Sequence, residues 1–304
     1  MMSSKIAVVG SINIDLVYEV DEIVQEGQTI STRDHHLFFG GKGANQAMTA
    51  AQLGADVTFI GSVGADGYGE QALLNLKRNG IDTSPIRRDG LTGQAIIQLS
   101  SDAENAILLF AGANHNVTAE QVEASRTVIE ESDFLLLQLE IPMPAIEKAI
   151  EIAHGSQTKI IVNPAPSHTL SDQLLSKVDY LTPNRTELES LSGIPFNEDE
   201  LHIACQKLIE KGVGCVIVTL GKQGSYYFSG NKYGLLPSNK MIPVDTTGAG
   251  DAFSGTLAVA LLEGFALEDA IVYASDVAGF VVTQKGAQPE IPEKYRANQY
   301  EFVY

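Results

Sequence analysis

The chain has 304 residues, 44% hydrophobic and 19% charged, enough to bury a sizeable core as one large domain or two smaller ones. Its 20 Lys+Arg against 38 Asp+Glu leave a formal net charge of −18. Nucleic acid and anionic membranes are therefore poor partners, because phosphate contacts need local cation density, although one small anion held by backbone amides stays compatible.

Taken in chain order, "KIAVVG" at 5–10 reads as a strand, and the opening is too short in apolar residues for a signal peptide. Residues 15–39 read as strand, turn, strand. A helix is expected at 44–54, a strand at 56–63 and a helix at 69–80. A second strand–turn–strand unit spans 93–114. A helix at 119–132, a strand at 133–139, a helix at 144–155 and strands at 159–164 and 180–184 follow. The remaining expectations are a helix at 199–212, a strand at 215–221, a short strand-like piece at 241–245, and helices at 251–263 and 268–282.

Gly54, Gly80 and Gly212 stand where left-handed C-caps are expected. This alternation is that of an α/β fold with a mostly parallel central sheet flanked by helices. The segments 15–39 and 93–114 carry no crossover helix, so they should form a small sheet standing off the main body as a lid, a dimer surface, or both. No repeat or low-complexity linker marks a second unit, and one domain over 1–304 is expected. Cys205 and Cys215 have no CxxC spacing and read as buried, reduced thiols. No apolar stretch approaches bilayer-spanning length, and a cytoplasmic protein is expected.

The stretch "VDTTGAGDAFSG" at 244–255 places small residues directly before Asp251 at a helix start. Amides there point outward without partners, and Gly248 and Gly250 let them converge on one negatively charged atom, with Ala249 between them. A carboxylate beside such an anion hole can orient a hydroxyl and take its proton during phosphoryl transfer; read alone, Asp251 is equally an N-cap.

"FFGGKGANQAMTAAQLG" at 38–54 repeats the arrangement with Gly40, Gly41, Lys42 and Gly43, yet fits neither the P-loop nor the dinucleotide fingerprint. The glycine-rich 61–71 reads first as a loop capping the next helix. Asn184 and Glu187, three apart, suit either a hydrated divalent cation or a plain cap. "TLGKQGSYYF" at 219–228 suits a nucleotide backbone or an ordinary hairpin. No His/Cys cluster or GxSxG elbow appears. The remaining motifs all fall near strand C-terminal ends, where open α/β sheets bind ligands.

The combination of "GGKGANQA…LGADVTFIGSVGADGYG" with "VDTTGAGDAFSG" resembles the ribokinase branch of the carbohydrate and nucleoside kinases, and the resemblance runs over essentially the whole chain. "GSINIDLV", "QLEIP", "NPAP" and "KGAQP" point to the same branch. The resemblance implies an ATP-dependent sugar kinase with Asp251 as catalytic base and the backbone of Thr247, Gly248, Ala249 and Gly250 as anion hole. It places Asn13, Asp15, Gly41, Lys42, Asn45 and Glu140 on the sugar, with Asp251 facing the same ligand. Asn184, Glu187, Thr219, Gly221, Gly224, Gly250 and Ser275 fall on the ATP and Mg2+ side. A monovalent cation site, usually K+, maps onto Asp245, Thr247, Val281, Gln284, Gly286 and Glu290.

Two residues depart from the pattern: Glu290 replaces a small hydroxyl residue, and Ser275 stands where Asn is expected. The two stand-off segments match the family's lid, which implies a homodimer. The implied reaction is phosphorylation of D-ribose at O5. The alternatives are 2-deoxyribose, another sugar or a nucleoside as acceptor, with Phe38 and Phe39 as a base slot, or a sugar-binding regulator without turnover.

Overall fold

A computed structural model describes residues 5–102, 104–197, 200–239 and 241–302. Its strands are β1 (Lys5–Val9), β2 (Asn13–Glu19), β3 (Asp34–Gly40), β4 (Asp56–Ile60), β5 (Ser62–Val63), β6 (Arg87–Arg88), β7 (Gly93–Leu99), β8 (Asn105–Phe110), β9 (Phe134–Leu137), β10 (Lys159–Val162), β11 (Tyr180–Leu181), β12 (Cys215–Thr219), β13 (Ser225–Ser229) and β14 (Lys232–Leu236). The helices are α1 (Lys42–Gln52), α2 (Gly67–Arg78), α3 (Ala119–Ala124), α4 (Arg126–Glu130), α5 (Met143–His154), α6 (Asp172–Leu175), α7 (Arg185–Ser192), α8 (Leu201–Glu210), α9 (Ala249–Leu262) and α10 (Leu267–Val281).

The main sheet has eight strands in the order β14-β13-β12-β11-β10-β9-β1-β4. It is parallel from β4 to β12, and the β13–β14 hairpin adds two antiparallel strands at one edge. The uninterrupted apolar runs of its inner strands follow from burial on both faces. In β1, Ala7 and Val9 join a core with α5, α7 and α8, whereas Ile6 and Val8 face the opposite core with α1, α9 and α10. α9 packs between α1 and α10, and its residues from Asp251 to Ala260 are all buried. This crowding explains its small-residue composition: Gly255 lies so close to α1 that an added Cβ would sit 2.7 Å from the Gln46 carbonyl oxygen.

The two stand-off segments pair with each other, as expected. They make a four-stranded sheet in the order β3-β2-β7-β8, with β2 and β7 parallel and both outer pairs antiparallel. The pairing begins at Asn13 and reaches Gly40, slightly outside 15–39. β8 ends at Phe110, and Gly112–Asn116 form a 3-10 turn rather than strand.

Other expectations need correcting. The strand at 56–63 divides at Gly61 into β4 in the main sheet and β5, which pairs with β6 in a separate ribbon. The helix at 119–132 breaks at Ser125, whose hydroxyl bonds back to the Gln121 carbonyl at 3.3 Å. Residues 241–245 form no strand; the Val244 and Asp245 amides instead bond the Val282 carbonyl beyond α10. The helix expected from 199 is described from Leu201, and residue 199 lies outside the described residues. Gly54, Gly80 and Gly212 take positive φ, as their positions imply. No helix among the described residues is long and apolar enough to cross a membrane.

Candidate active site

Turns leaving the carboxyl ends of β1, β9 and β10 bond the first turns of α1. The turn after β11 bonds α9 through Thr182 and Ser254, and the end of β12 pairs with Asn184 at the start of α7. At α9, Gly248 is the N-cap with φ 78°, and an added Cβ there would meet the Ala287 Cβ at 2.7 Å. Conformation and space both require glycine at this position. The Ala249 amide bonds the Thr246 carbonyl at 3.4 Å, whereas those of Gly250 and Asp251 have no backbone acceptor among the described residues. A Cβ built on Gly250 meets nothing within 4 Å. The helix therefore opens with unclaimed donors beside free space.

The Asp251 carboxylate sits behind these amides, 4% exposed. Asn45 donates to its Oδ2 at 2.9 Å and Gln46 to its Oδ1 at 3.2 Å, both from α1. It is therefore not the N-cap that the sequence also allowed. Burial pushes its pKa up; the Lys42 charge and the two amide bonds work against burial, and Glu140 adds to it.

The residues expected on the sugar gather around this carboxylate. Gly41 begins α1 with φ 87°, and a Cβ there would lie 2.6 Å from the Asn13 amide. Glu140 accepts at one oxygen from the Ser11 hydroxyl at 2.5 Å and the Lys42 amide at 3.0 Å. Asn13 accepts from Asn114 at 2.7 Å. Asp15 is 7% exposed and its carboxylate takes no hydrogen bond among the described residues, and Gly40 is kept bare beside it, since a Cβ there would fall 2.3 Å from its Oδ2.

Burial first, then Glu140, Asp251 and Asp245, raise the Asp15 pKa to about 7, with Lys42 opposing. For Lys42, burial disfavours the charge, but Asp251, Glu140, Glu187 and Asp15 outweigh it and the pKa rises. One ammonium thus stands among several carboxylates.

Of the residues expected on the nucleotide, Asn184 and Glu187 form a reciprocal capping box at the start of α7, the plain cap that their spacing allowed. Glu187 is nonetheless only 6% exposed, and burial raises its pKa against the Asn184 bonds and Lys42. Thr219 pairs with Asn184 through an isolated bridge. Gly221 (φ 59°) opens a 3-10 turn ending at Gly224 (φ 98°), where a Cβ would strike the Leu236 carbonyl oxygen at 2.0 Å. Ser275 is buried in α10 with its hydroxyl unpartnered among the described residues.

The residues expected to form a monovalent cation site are brought together only in part. Asp245 accepts from the Thr247 amide and the Gly286 amide, each at 2.9 Å, and these bonds, acting against its burial, hold its carboxyl below the usual range. Val281 is adjacent to Val282, which anchors the same segment. The Gln284 amide donates to Thr283 instead, and Glu290 is exposed without a hydrogen bond among the described residues. The 61–71 loop is the cap expected of it, with Asp66 accepting from Gly69 at 2.8 Å and from the Thr92 hydroxyl at 2.6 Å.

Residues not anticipated include Asn114, Gln288, Gln46, Gln138 and Asn163. Gln288 donates to Asn45 at 2.9 Å, Gln138 donates to Gln46 at 2.6 Å, and Asn163 lies 3.4 Å from Gln46. Gln46 lies beside Asn45 in the 38–54 stretch, and an amide inside a run of small residues at a helix start is the sequence signal that points to it.

Residues 3–294 match the pfkB family of carbohydrate kinases. The chain is similar to the ribokinase of Haemophilus influenzae, 38% identical over 296 residues, covering 96% of this chain and 97% of that one. It is also similar to the deoxyribokinase of Salmonella typhi, 33% identical over 299 residues, covering 97% and 98%. Among solved structures, the Arabidopsis thaliana ribokinase complexed with ribose and ATP is similar at a TM-score of 0.92 and 32% identity, over 99% of this chain and 100% of that one. With unclaimed amides and a buried carboxylate meeting at one helix start, and with similarity along its whole length, the chain belongs to the pfkB family of carbohydrate kinases.

Proposed function

We propose that this protein transfers the γ-phosphoryl group of ATP to the 5-hydroxyl of D-ribose, giving D-ribose 5-phosphate and ADP. One observation carries the reading: Asp251, buried and held at both oxygens, stands at the same helix start as the unclaimed Gly250 and Asp251 amides. Similarity to proteins named ribokinase supports the choice of sugar.

In this reading Asp15, Asn13 and Glu140 hold the sugar hydroxyls, using the lone pairs and donors the protein leaves unclaimed. Groups built to pair hydroxyls discriminate strongly against analogues lacking them. The 5-oxygen bonds to the γ-phosphorus as the β–γ bridging P–O bond breaks, and Asp251 takes the hydroxyl proton. The Gly250 and Asp251 amides and Lys42 stabilise the charge gathering on the phosphoryl oxygens. Thr219, Gly221 and Gly224 seat the nucleotide, with Ser275 at its far side.

The four-stranded sheet acts as a lid that excludes water. Its outer edge strand exposes Ile107, Leu108, Leu109 and Phe110 at 55%, 66%, 56% and 47%, alternating between the two faces of the sheet, an apolar edge that a second copy would cover in a homodimer.

The implied cations suit the residues present. Glu187, its carboxylate fixed by Asn184, offers hard oxygens to hydrated Mg2+, which supplies charge neutralisation on the ATP phosphates. Asp245, an anion fixed by two amides, with the oxygens of Thr247, Val281, Gln284 and Gly286, suits K+, which would add positive charge beside the amides. Glu290 joins that set only by turning in from solvent.

The deoxyribokinase similarity makes 2-deoxyribose the competing acceptor. A nucleoside is disfavoured because Phe39 packs against the core and Phe38 lies against Gly286, so both rings are committed. Turnover assayed with ribose, 2-deoxyribose and adenosine separates the readings. Ribose should give the highest kcat/KM; a preference for either other acceptor overturns the assignment.

A further inference from the structure

The Asp251 carboxylate can only accept, so both amides touching it must turn their nitrogens inward. Each amide is fixed in that sense by a second one. Gln288 donates to the Asn45 oxygen at 2.9 Å, and the Gln288 oxygen accepts from Asn75 at 2.9 Å. On the other side Gln138 donates to the Gln46 oxygen at 2.6 Å, the shorter of two contacts that fix this amide, since the Gln46 nitrogen also donates to the Asn163 oxygen at 3.4 Å.

Gln138 is fully buried just beyond β9, and its own Oε1 has no hydrogen-bond partner among the described residues. Gly10 makes room for it: a Cβ there would fall 2.2 Å from that oxygen. A buried, orphaned carbonyl oxygen is costly, and turning the amide over would place two carbonyl oxygens face to face at Gln46. The orphan is thus the consequence of keeping a donor aimed at Gln46, and through it a donor aimed at Asp251.

We infer that Gln138 is a positioning residue for phosphoryl transfer, which locks the Gln46 amide with its nitrogen toward Asp251 so that this carboxylate stays ionised and aligned to take the hydroxyl proton. Gln288 serves Asn45 in the same way. The inference rests on Asp251 being the base. Other charged groups act on Asp251 as well: Lys42 from α1 and Glu140 from the turn after β9 act on it directly, and Asp15 from β2 and Glu187 from α7 sense its charge in turn. None of these touches Gln138 through a hydrogen bond among the described residues.

The test is Gln138→Met, close in shape, which removes the donor together with the orphaned oxygen. The Gln46 nitrogen is then held inward only by its longer 3.4 Å bond to the Asn163 oxygen, and the ionised form of Asp251 loses support. The acid limb of the kcat–pH profile should move up by about one unit, equivalent to roughly tenfold in the ionisation equilibrium. At a pH below that limb kcat should fall about tenfold, while the KM for ribose and the thermal midpoint change little.

An unchanged acid limb overturns the inference. So does a loss of activity that tracks a loss of folded protein, which would make the role merely structural. Asp251→Ala run alongside separates the two claims: if it retains activity, the assignment of the base fails, whereas if it is inactive and Gln138→Met keeps the wild-type limb, only the positioning role fails. Gln288→Met provides the second arm, with a shift in the same direction expected and no shift refuting its part.

Discussion

Asp15→Asn is the perturbation whose size the structure allows to be worked out. The carboxyl lies 7% exposed, without a protein donor among the described residues, and its pKa is raised to about 7 from 3.8. A carboxyl with a raised folded-state pKa binds more protons folded than unfolded between those two values. Its contribution to stability is therefore complete below about pH 4 and is lost as pH rises toward 7. Between pH 5 and pH 7 that is two units, or about 3 kcal/mol at ~1.4 kcal/mol per unit, as a ceiling.

Asn keeps the shape and cannot ionise, so Asp15→Asn should gain up to about 3 kcal/mol relative to wild type on going from pH 5 to pH 8. Urea melts of both proteins at the two pH values measure this directly. The same substitution should raise the KM for ribose, because a group left unpaired for a ligand hydroxyl has been changed. Parallel stability–pH profiles would refute the reasoning, since they would mean that Asp15 ionises freely in the folded state.

Asp251→Ala should lower kcat by roughly 10²–10⁴, the usual contribution of a general base, in a steady-state ADP assay; a loss below tenfold removes it from that role. Gly248→Ala should abolish both turnover and much of the stability, because φ 78° and the 2.7 Å approach to Ala287 cannot be relieved together, and a normal thermal melt would contradict that. Glu290→Ser should leave any potassium activation unchanged, as the Glu290 side chain points to solvent, whereas altered potassium dependence would show that Glu290 turns in. On the proposed homodimer through β8, Leu108→Lys at the exposed edge strand should yield monomer by light scattering where the unmodified chain is a dimer, and an unchanged dimer would move the interface elsewhere.

Much of the fold was legible because the inner strands are uninterrupted apolar runs, such as "KIAVV" and "FLLL", between helices with regular apolar spacing. The four-stranded sheet was legible from the lack of a helix within 15–39 and 93–114. What was not legible was tertiary. Gly61 lets β4 and β5 enter different sheets, and Ser125 divides one apolar period into α3 and α4, neither of which periodicity reports.

The site shows the same division. Asp251 and the bare Gly248–Gly250 stretch were visible as local chemistry, because a helix start with small residues is defined by neighbours in sequence. The Gln138–Gln46–Asp251 chain was not, because its members lie 92 and 205 residues apart and their amides carry no sequence signature of orientation.

The most direct test of the account is ADP release from Mg-ATP with D-ribose as acceptor, with and without potassium. The account predicts release that depends on ribose, with ribose 5-phosphate as the product. Folded protein that releases no ribose-dependent ADP under either condition would contradict it.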